Sequence, residues 1–320
     1  MNAQSGLAAL TEVAAFGANP GGLRMMVCAP PDIRRDAALV VVLHGCGQSA
    51  QEYAHGAGWL ALAHRFGFVL LCPQQTRSNN FFGCFNWFVE TDAEREGGEA
   101  ESIAAMIAQV RAMYSINPAR VHVTGLSAGG AMATVMLATY PELFVAGAII
   151  AGLPYGEATS PLQAMRVMAS GSRLPDAALG DLVRAASAHS GPWPRIAIWH
   201  GDDDVTVRPG SAGDLARQWA DVHGAVTKSA DDRSEAGRRA DYWRAPCGGV
   251  AVERHRIADM AHGTALKTGG ADGCGAAGPH LIDIGVSSSG EIAHGWGLAR
   301  SRPRRPAARR IGAGLARIAS

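Results

Sequence analysis

A Gly-x-Ser-x-Gly pentapeptide at residues 125–129 constrains the fold of this 320-residue chain more than any other feature. The β-rich run 121–124 precedes it, and the Ala- and Met-rich segment 131–140, which is typical of a helix, follows it. A serine between glycines at a strand-to-helix transition predicts a sharp, strained turn, in which the glycines leave room for a crowded backbone. We therefore take Ser127 as a candidate nucleophile; the alternative is a tightly packed connection without chemistry.

Patterns typical of strands and helices alternate along most of the chain. Helical periodicity is present at 58–66, 99–114, 211–223 and 287–298, and the strand-like runs are 23–29, 38–43, 68–71, 145–151, 195–199, 241–243 and 250–257. This alternation predicts an α/β fold with a mainly parallel, doubly wound sheet. With 48% apolar residues, the chain can form one elaborated domain with a substantial core.

The pattern divides the chain into three parts. We assign residues 1–18 to an N-terminal arm, either loose or a short helix, 19–298 to the single α/β domain and 299–320 to an Arg-rich tail. Within the domain, residues 156–193 interrupt the alternation with short helical pieces, Pro and Gly, so we expect a small helical insertion over the site. Residues 72–98 form a long irregular stretch, and loops of this length inside a domain are usually functional.

Charge and cysteine patterns exclude several kinds of partner. A net charge of +1 gives no general attraction to nucleic acid or anionic membrane, and no apolar stretch is long enough to span a bilayer. The arginines of the tail follow no clear helical face, which favours a solvated tail over a polyanion-binding one. The six cysteines lack metal-binding spacing, so no metal is predicted, and Cys28 and Cys72 are expected to be buried thiols.

A serine nucleophile needs a histidine base and an acid, and at a strand–serine–helix turn these follow the serine in the order acid, then histidine. The strand-like run 195–199 leads into three consecutive carboxylates, Asp202, Asp203 and Asp204. Two of the three are expected to be solvated turn residues. We choose Asp204, because it follows the Gly201 turn and precedes an apolar segment.

Three histidines compete for the role of base. His262 follows the strand-like run 250–257 by a few residues, which is the expected position. His294 lies in the predicted C-terminal helix, and His280 has no strand before it. We therefore predict His262 as the base.

The negative charge that develops on the substrate oxygen needs two backbone N–H groups. Ala128, directly after the serine, is expected to supply the first. The Gly-rich loop 44–48 follows the strand-like run 38–43, which makes Cys46 the predicted second donor. The alternative for this loop is a plain strand–loop turn.

Taken together, these motifs resemble the esterase family of short-chain poly(3-hydroxybutyrate) depolymerases, which also includes feruloyl and acetylxylan esterases. The resemblance extends from residue 19 to residue 298. The motifs that carry it are LHGCGQ at 43–48, CFNWF at 84–88, GLSAGGAM at 125–132, AGLPYG at 151–156 and MAHGT at 260–264. The resemblance implies an α/β-hydrolase fold, a triad of Ser127, Asp204 and His262, and a disulfide between Cys46 and Cys84.

The function implied is serine ester hydrolysis through an acyl-enzyme, without a cofactor, on 3-hydroxybutyrate esters, oligomers or polyester. Trp87, Phe85 and Tyr155 are candidates for the substrate groove, with a role in the core as the alternative. Other readings are a feruloyl, acetylxylan or small-ester esterase, an acyltransferase and a non-catalytic polyester-binding protein.

Two departures from the family affect these expectations. The resemblance implies an extracellular enzyme, but no signal peptide is visible, which leaves a cytoplasmic location open. Neither a Thr-rich linker nor a polymer-binding domain is visible, so soluble esters or oligomers are favoured over insoluble polyester. The oligomeric state cannot be read from the sequence.

Overall fold

The computed structural model describes residues 9–225, 227–231 and 237–299. Its main sheet has the strand order β1-β2-β4-β3-β5-β6-β7-β10-β9-β8. The strands are β1 (Thr11–Val13), β2 (Arg24–Cys28), β3 (Ala37–Leu43), β4 (Val69–Gln74), β5 (Ile116–Leu126), β6 (Ala146–Ile150), β7 (Arg195–Gly201), β8 (Thr227–Asp231), β9 (Arg238–Arg244) and β10 (Val250–Ile257). The six central strands from β4 to β10 run parallel, and the outer strands on both sides pair antiparallel.

Helices cover both faces of this sheet, as the alternation predicts. They are α1 (Ala50–Gly56), α2 (Trp59–Phe66), α3 (Glu90–Ala93), α4 (Gly98–Met113), α5 (Ala128–Thr139), α6 (Pro161–Ser170), α7 (Asp176–Ala185), α8 (Gly210–Val222) and α9 (Ser288–Gly295). A small parallel pair, β11 (Thr264–Leu266) and β12 (Leu281–Asp283), lies outside the main sheet.

Strand β3 shows why the sheet needs a core on each side. Its side chains are all buried and alternate between two clusters: Leu39 and Val41 belong to one, Val40 and Val42 to the other. The first cluster contains residues of α4, α5 and α8, and the second contains residues of α1, α2 and α9. The predicted α/β-hydrolase class, with a doubly wound parallel sheet, is therefore confirmed.

Several boundaries differ from the sequence prediction. Residues 11–13 of the expected arm form an edge strand on β2, because Thr11 to Val13 pair with Val27 to Met25. Two segments in which the sequence pattern predicts no strand contain one: 225–239 contains β8 and the start of β9, and 259–279 contains β11. The expected tail from residue 300 onward and residues 1–8 of the arm lie outside the described residues.

The insertion 156–193 contains α6 and α7, as predicted in outline. The Ser160 hydroxyl accepts the Gln163 N–H and Pro161 occupies the first turn, which together start α6. Helix α7 packs against α8 beside the sheet. That the insertion lies over the site stays a prediction. In the described part of the chain, none of the helices has the length and apolar character that crossing a bilayer requires.

Candidate active site

Ser127 lies between the end of β5 and the start of α5, as predicted. Its backbone has φ 57° and ψ −119°, a conformation that costs a residue with a side chain about 1–3 kcal/mol. A Cβ atom on Gly125 would overlap the carbonyl group of Gly129, and one on Gly129 would overlap that of Leu43. Glycine is therefore required on both sides of the serine, and the turn holds Ser127 at the carboxyl edge of the parallel sheet.

Asp204 and His262 meet at this same edge. Asp204 follows β7 and His262 follows β10, and these two strands are parallel neighbours. The His262 Nδ1 atom lies 2.6 Å from Asp204 Oδ2, and both side chains are buried. Because a carboxylate only accepts, Nδ1 carries the proton and Nε2 is left as an acceptor, which is the tautomer a general base needs.

Backbone hydrogen bonds join the loops that carry the three groups. They run from Ser127 N–H to Ile150 O (2.9 Å), from Ala151 N–H to Trp199 O (2.9 Å) and from Asp202 N–H to Ile257 O (2.8 Å). Gly201 allows the last contact, because a Cβ atom there would overlap the carbonyl oxygen of Met260. The Ser127 hydroxyl makes no hydrogen bond with any described residue, so its contact with His262 stays a prediction.

The competing carboxylates and histidines lie in other environments. Asp203 is exposed and Asp202 is half-buried, whereas Asp204 is buried. The His294 ring packs against Phe66 at 5.8 Å. The exposed His280 contacts the carbonyl oxygen of His262 through Nδ1 at 3.0 Å, so it supports the predicted base from outside.

A second imidazole, which the sequence analysis did not select, contacts the same acid. His200 is buried at the end of β7, and its Nε2 lies 2.8 Å from Val207 O and 3.2 Å from Asp204 Oδ2. Both neighbours are acceptors, so Nε2 carries the proton and points it between them. A histidine before a glycine inside a strand has no sequence signal that separates this role from ordinary core packing.

Four donors therefore surround the Asp204 carboxylate. The N–H groups of Thr206 and Val207 each donate to Oδ1 at 2.9 Å, and the two imidazoles approach Oδ2. Burial alone would raise the pKa of Asp204, but the hydrogen bonds from His200, His262 and the Val207 backbone hold it well below its usual value. The carboxylate thus stays charged and able to orient His262.

The predicted oxyanion donors belong to two adjacent elements. Ala128 is the first residue of α5, where backbone N–H groups have no partner within the helix. Cys46 lies in the loop after β3, the parallel neighbour of β5. This loop is tight, because Gly45 N–H donates to Gln48 Oε1 (2.9 Å) and Gln48 N–H donates to Gly45 O (3.2 Å). Both assignments stay predictions.

A disulfide and a neutral histidine hold the predicted oxyanion loop after β3 in place. Cys46 and Cys84 form the disulfide that the family resemblance implies, and Cys28 and Cys72 are buried as expected. His44 is buried; its Nδ1 donates to Gly45 O (2.8 Å) and its Nε2 accepts the Gln75 N–H (3.1 Å). Burial lowers the pKa of His44 to about 4, so the ring is neutral.

The irregular stretch after β4 is organised by Glu99, another residue that the sequence analysis did not select. Its fully buried carboxyl accepts from Gln75 Nε2 (2.5 Å), Asn79 Nδ2 (2.9 Å) and the Asn86 N–H (2.9 Å). Burial raises the pKa of Glu99 to about 8, although these hydrogen bonds lower it. Gln75 also donates to Cys84 O (2.8 Å), which ties the disulfide to the same network.

The three predicted substrate contacts divide into two groups. Trp87 and Tyr155 line a cavity of about 420 Å³ together with α3 and the end of α7. Phe85 does not line an accessible groove: it is fully buried, and its ring packs 4.9 Å from His44. An aromatic side chain in an irregular loop can face either way, and the sequence pattern does not determine which.

Three features are those of an α/β-hydrolase: the order of the strands in the sheet, the strained strand-to-helix turn at Ser127, and the loops that follow β7 and β10. The solved structure of acetyl xylan esterase from Aspergillus awamori shares this fold, with a TM-score of 0.76 and 24% identity over 91% of this chain and 100% of that chain.

Sequence comparison shows which family of α/β-hydrolases the chain belongs to. Residues 25–242 match the family described as Esterase PHB depolymerase, and the chain belongs to this family of carboxylic ester hydrolases. Poly(3-hydroxyalkanoate) depolymerase C of Paucimonas lemoignei is 42% identical over 92% of this chain and 71% of its own. An acetylxylan esterase of Coprinopsis cinerea is 33% identical over 79% and 69%, and feruloyl esterase B of Thermothelomyces thermophilus is 33% identical over 68% and 76%.

Proposed function

We propose that the protein hydrolyses carboxylic esters with Ser127 as nucleophile, His262 as base and Asp204 as the acid that orients it. The observation that carries this proposal is the 2.6 Å hydrogen bond from His262 Nδ1 to Asp204, formed at the sheet edge where the strained Ser127 lies. This bond leaves His262 Nε2 as the only ring atom able to take a proton.

The reaction has two steps. The Ser127 hydroxyl attacks the ester carbonyl while His262 Nε2 takes its proton, and the N–H groups of Cys46 and Ala128 hold the oxyanion. The C–O bond to the alcohol then breaks, and His262 returns the proton to the leaving alcohol. A water molecule, deprotonated by His262, attacks the acyl-enzyme and releases the acid with Ser127 restored.

The substrate class we propose is short-chain 3-hydroxyalkanoate esters, as oligomers or polyester. The 42% identity to poly(3-hydroxyalkanoate) depolymerase C over most of the chain supports this choice. We further propose that the enzyme works outside the cytoplasm. The Cys46–Cys84 disulfide supports this location, because such bonds persist in oxidising compartments.

The test is the hydrolysis of p-nitrophenyl butyrate and of 3-hydroxybutyrate oligomers by the wild-type chain and by Ser127→Ala. We expect kcat on both substrates to fall by a factor of about 10³ or more in the variant. Hydrolysis that continues at the wild-type rate in Ser127→Ala would remove the mechanism.

A second candidate substrate is an esterified plant polysaccharide. The cavity beside Trp87 and Tyr155 is also lined by the carboxylates Glu90 and Glu94 and the hydroxyl of Thr159. Aromatic side chains combined with a few polar groups are typical of pockets that bind small ligands. Acetate release from acetylated xylan and ferulate release from methyl ferulate, at rates above that on 3-hydroxybutyrate oligomers, would favour this candidate over the first.

A further inference from the structure

Large apolar side chains are exposed at only a few places in the described part of the chain. They are Phe81, Phe82, Met113, Leu162, Met165, Leu174 and Val205. Most of these belong to segments that follow the carboxyl ends of the parallel strands β4, β6 and β7. Met113 is different: it ends α4, and only Tyr114 and Ser115 separate it from the start of β5. It therefore lies at the opposite edge of the sheet.

Phe81 and Phe82 lie next to the predicted oxyanion loop. They are 75% and 72% exposed, and their rings contact each other edge to face with centroids 5.3 Å apart. The disulfide from Cys84 to Cys46 connects their loop to the oxyanion loop. The loop is not loosely held, because the Phe82 N–H donates to Asn80 Oδ1 (3.0 Å) and Asn80 Nδ2 donates to Asn86 Oδ1 (2.7 Å).

Three of the other exposed apolar residues belong to the loop that carries Asp204 or to a helix bonded to that loop. Val205 is 75% exposed and directly follows the buried Asp204. Leu162 and Met165 are 74% and 60% exposed, and they are three residues apart on α6. Helix α6 is joined to the acid loop, because the Arg208 N–H donates to Met168 O (2.9 Å).

We propose that Phe81, Phe82, Leu162, Met165 and Val205 form an apolar rim through which the catalytic domain itself adsorbs to the surface of solid aliphatic polyester. This inference rests on the proposed function. A polyester surface carries no charge to pair with, so binding has to come from burial of apolar area. Phe81 and Phe82 belong to the loop that the disulfide joins to the predicted oxyanion loop, and the other three residues belong to the acid loop or to the helix bonded to it. Adsorption through this rim would therefore bring ester groups of the surface toward Ser127.

The position of the rim beside the candidate active site indicates what binds to it. A second copy of the chain docked on the rim would close both active sites, whereas a polymer surface supplies the substrate. The rim also provides a means of binding insoluble polymer that needs no separate binding module. Exposed apolar patches on a soluble protein generally mark such contact surfaces.

The experiment measures adsorption to poly(3-hydroxybutyrate) film with the full chain carrying Ser127→Ala, so that the film is not degraded. Phe81→Ser/Phe82→Ser and Leu162→Ser/Met165→Ser are added separately, and Met113→Ser on the opposite edge is the matched control. We expect adsorption to weaken at least fivefold with each double substitution and to stay unchanged with Met113→Ser. Val205 is left intact, because substitution there could disturb Asp204.

The same double substitutions in the active chain give the second readout. We expect the ratio of film hydrolysis to p-nitrophenyl butyrate hydrolysis to fall at least fivefold, with melting temperatures close to that of the parent. Unchanged adsorption of both double variants would overturn the proposal. A dimer that light scattering detects in the parent but not in the double variants would overturn it as well. Failure of the proposed function appears separately, as wild-type protein that does not hydrolyse p-nitrophenyl butyrate.

Discussion

The buried His200 lies 3.2 Å from the carboxylate of Asp204, on the oxygen that His262 contacts at 2.6 Å. Its N–H points between this oxygen and the carbonyl of Val207, 2.8 Å away. His200 therefore restrains the acid through the same oxygen that the base contacts. We regard it as a positioning residue, because it acts on His262 only through Asp204.

Replacing His200 by Phe should lower kcat/KM for p-nitrophenyl butyrate by about tenfold, because a buried charge-assisted hydrogen bond is lost. The loss also raises the pKa of Asp204, because burial raises it and one opposing hydrogen bond is gone, so activity should fall more at the acidic end of the pH profile than at pH 8. His200→Gln, whose amide can donate, should restore most of the acidic activity. Parallel pH profiles of both variants and the parent would contradict the role.

Substituting the three neighbouring carboxylates one at a time should show which of them is the catalytic acid. Asp204→Asn should lower kcat by a factor of about 10²–10⁴, because it removes the charge and the acceptor that fix the His262 tautomer. Asp202→Asn and Asp203→Asn, which change more exposed side chains, should stay within about twofold of the wild type. A larger loss in either control than in Asp204→Asn would reassign the acid.

Removing the disulfide by Cys46→Ala/Cys84→Ala should lower the free energy of unfolding by about 4 kcal/mol, from the entropy of closing a loop whose ends are 38 residues apart. Denaturant unfolding measures this change, and Cys247→Ala, at an exposed cysteine outside the disulfide, is the control. Ala keeps the backbone N–H at position 46, so a fall in kcat would report loop disorder. Equal unfolding midpoints for the double variant and the control would contradict the prediction.

Glu99 should make stability depend on pH. Its folded pKa of about 8 lies above the usual value of 4.5, so the folded state binds a proton that the unfolded state has lost between these values. The contribution of Glu99 to stability is therefore greatest below about pH 4.5 and falls as the pH rises to about 8.

The comparison is the melting temperature of the wild type and Glu99→Gln between pH 5 and pH 9. The wild type should lose stability across this range relative to the variant, which lacks the titrating group. Glu101→Gln, in the same first turn of α4, should retain the wild-type slope. Identical slopes for the wild type and Glu99→Gln would show that the buried carboxyl does not titrate there.

Local patterns predicted the frame of the site well. The strand–serine–helix order located Ser127, and strand ends followed by Asp204 and His262 located the pair that the structure joins by a hydrogen bond. The positions of these residues could be predicted because parallel strands place their carboxyl ends at one edge, so order along the chain translates into position; their catalytic roles stay predictions. The Cys46–Cys84 disulfide came from family resemblance, since spacing alone does not pair cysteines.

Residues that act through distant partners were not predictable. Glu99 has the sequence signature of an acidic residue in a first helical turn, yet its burial depends on Gln75 and Asn79, more than a dozen residues away. Phe85 and Trp87 are two residues apart in one irregular loop, but only Trp87 lines the cavity. In such irregular loops, the position of a residue in the sequence does not determine whether its side chain faces the core or the cavity.

The backbone hydrogen bonds that connect Ser127 to Ile150, Ala151 to Trp199 and Asp202 to Ile257 have a consequence for how this scaffold can diversify. Because they involve main-chain atoms, they tolerate most side-chain changes around them, as long as Gly201 is kept. The exposed positions of the loop after β4 and of the insertion 156–193 lie outside this frame and can change without disturbing it. Divergence in substrate preference can therefore accumulate in the outer segments while the chemistry is inherited intact.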